Sequence, residues 1–167
     1  MKGVIEQVSL SHGGLPKWAV EDAWIGPLGL EGDRHRNLKH HGGPEKAVLL
    51  MSAEFVAGLR EEGFDVAAGS LGENLTICGV DFALLRPRMR LRAGGAILEL
   101  TRLRQPCATL DVYNRDGLRI QNRLSDARAK AGDTSSGCWA KGGFYASVVE
   151  PGFVRPGDIL ELLDAVA

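Results

Sequence analysis

The segment Ala96-Ile97-Leu98-Glu99-Leu100-Thr101, continuing through Arg102-Leu103-Arg104-Gln105-Pro106-Cys107-Ala108-Thr109-Leu110, decides how the chain is read. Its first six residues carry the alternation of a half-buried strand, and Pro106, which has no backbone N–H for a ladder, breaks the run just before one thiol. Cys107 is therefore held at a strand's end. Arg102 and Arg104 lie a few residues upstream, where positive charge favours the thiolate that a metal ligand or sulfur carrier requires. The competing reading is a small buried hydrophobe.

Outward from this segment the chain repeats one rhythm. It holds 22 glycines, against about 12 at average usage, spread in pairs and turns between short apolar runs. Val4–Leu10, Trp18–Ile25, Ala47–Met51, Leu75–Cys78, Phe144–Val149 and Ile159–Leu163 read as strands, so the pattern predicts one mainly β domain over residues 1–167. Ser52 caps a short helix with Phe55, Val56 and Leu59 on one face, ended by Gly63. Residues 118–130 are expected to form an exposed helix or lid. Arg86-Pro87-Arg88-Met89-Arg90-Leu91 and Arg155-Pro156-Gly157-Asp158-Ile159-Leu160 resemble each other as two proline-initiated corners of a closed sheet. Trp139 and Tyr145 are expected in the core.

Composition narrows the function classes. A chain of 167 residues buries about two thirds of its unfolded surface without staples. Lys and Arg total 20 against 21 for Asp and Glu, which leaves no electrostatic footprint for nucleic acid or an anionic membrane. The three cysteines are odd in number and contain no C-x-x-C pair, against both a disulfide framework and a zinc ribbon; Cys78 and Cys138 read as structural. With no apolar leader and no run near the ~20 residues of a membrane helix, a soluble cytoplasmic protein is expected.

Three loops carry chemistry-bearing residues: Gly32–Gly43, Gly69–Asn74 and Arg102–Cys107. Glycine turns can present successive N–H groups to an anion, and Arg34, Arg36, Lys39, His40 and His41 would suit a phosphate or oxyanion. The same turns also serve as plain corners of a β protein. A zinc site from His35, His40, His41 and Cys107 matches no usual ligand spacing, and a cysteine nucleophile assisted by histidine and Asp33 remains open.

Four stretches in order, Gly29-Leu30-Glu31-Gly32-Asp33-Arg34-His35, His41-Gly42-Gly43, Gly72-Glu73-Asn74-Leu75 and Gln105-Pro106-Cys107, resemble the MOSC domain family. These domains form the C-terminus of molybdenum-cofactor sulfurases and occur in molybdenum hydroxylamine reductases. The likeness runs from about Val4 to Leu163. It implies a closed, strongly bent β-barrel with a few peripheral helices and the motif loops gathered at one cleft. It also implies Cys107 as the molybdenum ligand or sulfur carrier, since thiolate is a soft ligand and a persulfide can hand over sulfur. The molybdopterin would then lie against Arg34, His35, His41, Gly42, Gly43, Gly72 and Asn74, with Arg102 and Arg104 beside the thiol. Asp33 and Glu73 are expected to orient the loops by hydrogen bonds, because a carboxylate repels a phosphate. The family's Gly-Asp before the strand near 90 is Arg88-Met89 here, which puts that corner's geometry in question. The stretch shows neither the pyridoxal-phosphate desulfurase domain nor the N-terminal barrel of larger relatives, and reads as a solitary module.

Three functions follow. The first is a molybdenum-cofactor oxidoreductase reducing N-hydroxylated small molecules, fed electrons by a separate reductase. The second is a sulfur-carrier module whose Cys107 persulfide serves a pyridoxal-phosphate-dependent cysteine desulfurase. The third is a ligand-binding barrel without turnover.

Overall fold

The computed structural model describes residues 1–34 and 42–163. Among the described residues eleven strands are formed: β1 (Lys2–Leu10), β2 (Trp18–Val20), β3 (Ala23–Gly26), β4 (Gly29–Leu30), β5 (Val48–Ser52), β6 (Leu75–Cys78), β7 (Arg90–Ala93), β8 (Ala96–Leu103), β9 (Phe144–Glu150), β10 (Gly152–Val154) and β11 (Ile159–Leu162). The main sheet runs β11-β7-β8-β9-β5-β6-β1-β2 and closes on itself because β11 also pairs with β1, Gly3 opposite Leu160. The result is a seven-strand barrel with β2 attached outside the ring, as expected for the mainly β reading.

Neighbours are antiparallel except β5 and β6, which run parallel and are joined through the helix α1 (Ala53–Glu61). Register shifts interrupt β1 between Ile5 and Gln7 and β8 between Leu100 and Arg102. Each inserts one unpaired residue, which bends the strand and lets so few strands curl into a ring. The barrel is filled by Ile5, Val8, Leu50, Leu75, Ile77, Leu98, Phe144 and Leu160, all at most 1% exposed.

The apolar run 18–25 does not form one strand. It breaks at Glu21-Asp22, so β2 pairs with β1 while β3 joins β4 and β10 in a separate three-stranded sheet. Helix α1 matches its sequence signals: the Ser52 hydroxyl accepts from the Phe55 N–H at 3.1 Å, and Gly63 takes a left-handed φ of 99° just beyond the end. Residues 118–130 form two short helices, α2 (Gln121–Leu124) and α3 (Ala127–Lys130), separated by the Asp126 cap. More than half of the segment's residues are exposed, as expected, while its apolar face is packed down. Ile120 and Leu124 are buried with Met51, Val56, Leu59, Leu71 and Leu110 in a second apolar cluster.

The two Arg-Pro corners lead into β7 and β11, which are themselves paired. Arg88 occupies the place of Gly157 in the matching hexapeptide and adopts the same left-handed conformation, φ 73° against 91°. The corner therefore survives the loss of glycine, at a cost of about 1 kcal/mol for a side chain held there. Trp139 lies in the core, its indole N–H donating to the Leu85 carbonyl at 3.1 Å. Among the described residues no helix is long and apolar enough to cross a membrane. Relief of strain at residue 88 should outweigh the added freedom of the unfolded chain. Arg88→Gly is thus expected to gain on the order of 0.5 kcal/mol, seen as a raised midpoint in thermal unfolding.

Candidate functional site

A cleft of about 660 Å³ opens where the segment after β1, the turn after β4, the turn before β6 and the segment after β8 meet. Its wall includes Cys107, Arg104, Arg34, Gly42, Gly72 and Asn74, together with Lys17 and Tyr145. Residues from the three loops singled out in the sequence, and from the segment after β1, thus face one hollow.

The sulfur is placed by the segment that follows it. Cys107 stands at the N-terminal end of a 3-10 helix, Ala108–Tyr113, whose Leu110 is fully buried in the second apolar cluster. The Gln121 amide adds a tie, donating to the Asp111 carboxylate at 2.7 Å and to the Cys107 carbonyl at 3.4 Å. The thiol is partly exposed and lies 2.9 Å from the Thr109 hydroxyl.

Arg104 is the principal cation of this wall. It is only 6% exposed; its Nη2 donates to the Leu71 carbonyl at 2.8 Å, and its Nη1, also buried, has no partner among the described residues. Burial pulls the guanidinium below its usual range, opposed by Tyr145, Cys107 and Glu73. A buried donor left unmade costs free energy that an anion in the cleft would recover. Tyr145, expected in the core, borders the cleft instead; burial pushes its phenol up, with Arg104 pulling it down.

Arg102 behaves differently from its near neighbour. The shift in β8 leaves Thr101 unpaired and turns Arg102 outward, where it is 52% exposed and ion-paired with Glu45. It does not line the cleft, and its expected place beside the cofactor is corrected accordingly. Gly43 is likewise outside the wall: at φ 86° it begins the 3-10 turn Pro44–Lys46 and accepts from the Lys46 N–H at 3.0 Å.

The glycine corner before β6 is an anion cradle whose anion belongs to the chain. The carboxylate of Glu73, fully buried, accepts from the N–H groups of Gly69 at 2.7 Å and Leu71 at 3.1 Å. The Gly72 N–H turns back to the Gly69 carbonyl at 3.2 Å. Gly72 therefore shapes the wall without an amide to offer a phosphate, contrary to the expectation from its motif. Gly69 is required for contact: at φ 88°, an added Cβ would sit 2.3 Å from the Lys17 carbonyl.

Asn74 is spent in the same way. Its Oδ1 accepts from the Leu49 N–H at 3.1 Å, and its Nδ2 donates to the Ser9 carbonyl at 3.2 Å and to Asp33 at 2.8 Å. Both amide hydrogens are engaged with protein, so Asn74 builds the cleft and holds no ligand through them. Asp33 also accepts from the Ser11 N–H at 2.8 Å and from the Lys17 ammonium at 2.5 Å. It orients loops, as expected of it.

Lys17 was not legible as a site residue. It is 7% exposed and lines the cleft, burial pulling its ammonium down against the opposing charge of Asp33. The signal available was a fourth glycine-rich loop, Gly13-Gly14-Leu15-Pro16-Lys17, ending in a lone cation. His35 and His41, expected at the site, and His40 lie outside the described residues. Among the described residues no group of three or more His, Cys, Asp or Glu is placed to hold a metal ion. Among the described residues, Cys107 is therefore the soft ligand that the cleft offers a metal. Asp33→Asn, which strands the buried Lys17 ammonium, is expected to cost about 3 kcal/mol. Pairing it with Lys17→Met should recover part of that loss in urea unfolding.

The MOSC domain family matches residues 37–161. The chain is 32% identical over 138 residues to the uncharacterized protein YflK of Bacillus subtilis, covering 80% of this chain and 55% of that one. It is 30% identical over 144 residues to protein YiiM of Escherichia coli, covering 84% and 58%. The chain therefore spans little more than half the length of these two relatives. Its fold matches the crystal structure of YiiM from Geobacillus stearothermophilus at a TM-score of 0.70 and 23% identity, over 97% of this chain and 75% of that one. It matches that of YuaD from Bacillus subtilis at 0.70 and 20%, over 97% and 96%. With the barrel closed and the sulfur of Cys107 in the cleft among its motif loops, the chain belongs to the MOSC domain family.

Proposed function

We propose that this protein binds a molybdenum cofactor through Cys107 and reduces N-hydroxylated small molecules. The observation that carries the reading is the pairing, in one cleft, of a partly exposed soft sulfur with a buried guanidinium whose Nη1 has no partner among the described residues. Thiolate sulfur suits molybdenum. An orphaned arginine nitrogen suits an oxyanion such as the cofactor's phosphate. The residues present fit the group on both counts.

Cys107 would hold the metal, Arg104 and Lys17 the negative charge, and Arg34 and Gly42 the edge of the cleft. When bound, the cofactor would supply the two-electron redox chemistry. The chain's own contribution is then positional and protonic. Leu110 and Gln121 fix the backbone around Cys107. Reduction of an N–OH to an N–H group takes two electrons and two protons and releases water. Tyr145, kept protonated by burial, and the Lys17 ammonium are the proton carriers on the wall. Electrons would come from a separate reductase.

Anaerobic purification from molybdate-fed cells, with elemental analysis, tests the reading. Near-stoichiometric molybdenum in the parent and almost none in Cys107→Ala is expected, with loss of N-hydroxyadenine reduction driven by a viologen dye. Labile sulfur on Cys107 without metal would favour instead the sulfur carrier acting with a cysteine desulfurase. Absence of both would leave a ligand-binding barrel. Cys78→Ala should retain full activity, since that thiol only meets the Val4 carbonyl, 3.6 Å away between β6 and β1.

A further inference from the structure

The three cysteines differ in what meets their sulfur. All are partly exposed. The thiols of Cys78 and Cys138 each point at a backbone carbonyl, of Val4 at 3.6 Å and of Asn122 at 3.9 Å. A carbonyl only accepts, so it offers no donor to charge that develops at the sulfur or on an oxygen leaving it. Cys107 instead meets a hydroxyl, Thr109 Oγ1 at 2.9 Å, which can donate to sulfur. Arg104 is close enough for its charge and that of Cys107 to act on each other. Its Nη1 is buried, unpartnered among the described residues, and belongs to a side chain on the same cleft wall.

We propose that Cys107, whenever no metal holds its sulfur, is a peroxide-reactive thiol, with Thr109 and Arg104 as the donors that steady the reaction. The sulfur attacks one oxygen of hydrogen peroxide. An S–O bond forms and the O–O bond breaks. Sulfur loses two electrons and the peroxide gains them. The departing hydroxide takes up a proton, matching the one the thiol released to solvent, so Cys107–SH and H₂O₂ give the sulfenic acid and water. Donors beside the departing oxygen stabilise the charge that develops there; Thr109 Oγ1 lies 2.9 Å from the sulfur, and Arg104, on the same wall, has a nitrogen without a partner among the described residues.

The inference does not require the cofactor reading, and it is tested apart from it. Protein from molybdate-starved cells, verified free of molybdenum by elemental analysis, is treated with hydrogen peroxide and dimedone. Adduct formation at each cysteine is then followed by peptide mass spectrometry. Cys107 is expected to react at least about tenfold faster than Cys78 and Cys138. Thr109→Val, on the exposed face of the 3-10 helix, is expected to slow Cys107 by about tenfold to a hundredfold, the effect of one hydrogen bond to a developing charge. Folded Arg104→Gln should do the same; if that variant fails to fold, Thr109→Val decides. Equal rates at the three cysteines, or an unchanged rate in Thr109→Val, overturns the inference. Failure of the cofactor reading would show separately, as molybdenum missing from molybdate-fed protein.

Discussion

The carboxylate of Asp33 is the contact on which the site depends. It collects the Ser11 N–H, the Lys17 ammonium and the Asn74 amide, and so joins the end of β1, the loop after it and the turn before β6. Both members of the ion pair are almost wholly buried, 7% and 3% exposed. Desolvating two charges offsets most of their attraction, so such a pair is a poor source of net stability. What it supplies is position. Three segments are brought to fixed distances around one wall of the cleft.

Glu73 does for one corner what Asp33 does for the junction. Its carboxylate fills the cradle of N–H groups at Gly69 and Leu71, which would otherwise attract an external anion. The cleft is thereby left with fewer donors than its glycines advertise, and those that remain are concentrated on Arg104 and its surroundings. Burial raises the energy of that guanidinium, while a carbonyl of Leu71 satisfies only one of its two terminal nitrogens. The chain's own carboxylates consume the donors needed for rigidity, and one buried cation beside Cys107 is kept for something else.

Much of the fold was legible because strands and caps are local. Alternation marked β8, the apolar run Ala47–Met51 marked β5, and Ser52 and Gly63 bounded α1 through interactions spanning four residues or fewer. The single strand read over 18–25 failed because period alone does not tell which of two sheets a residue joins. The exposed helix or lid read over 118–130 forms as two short, largely exposed helices, but their anchoring was not legible, because Ile120 and Leu124 are buried against Leu110 and Met51. Motif order pointed to Cys107, while nearness in sequence pointed equally to Arg102 and Arg104, whose fates diverge at one unpaired residue in β8.

The sequence by itself determined a glycine-punctuated β chain, a family, and a thiol at a strand's end, since each is written in residue types and short spacings. Only the tertiary structure decided which polar groups remain available in the cleft. Hydrogen bonds are exclusive: an amide of Asn74 given to Ser9 and Asp33 cannot also hold a ligand. Whether such a bond forms depends on segments tens of residues apart meeting within about 3 Å, which no local pattern encodes.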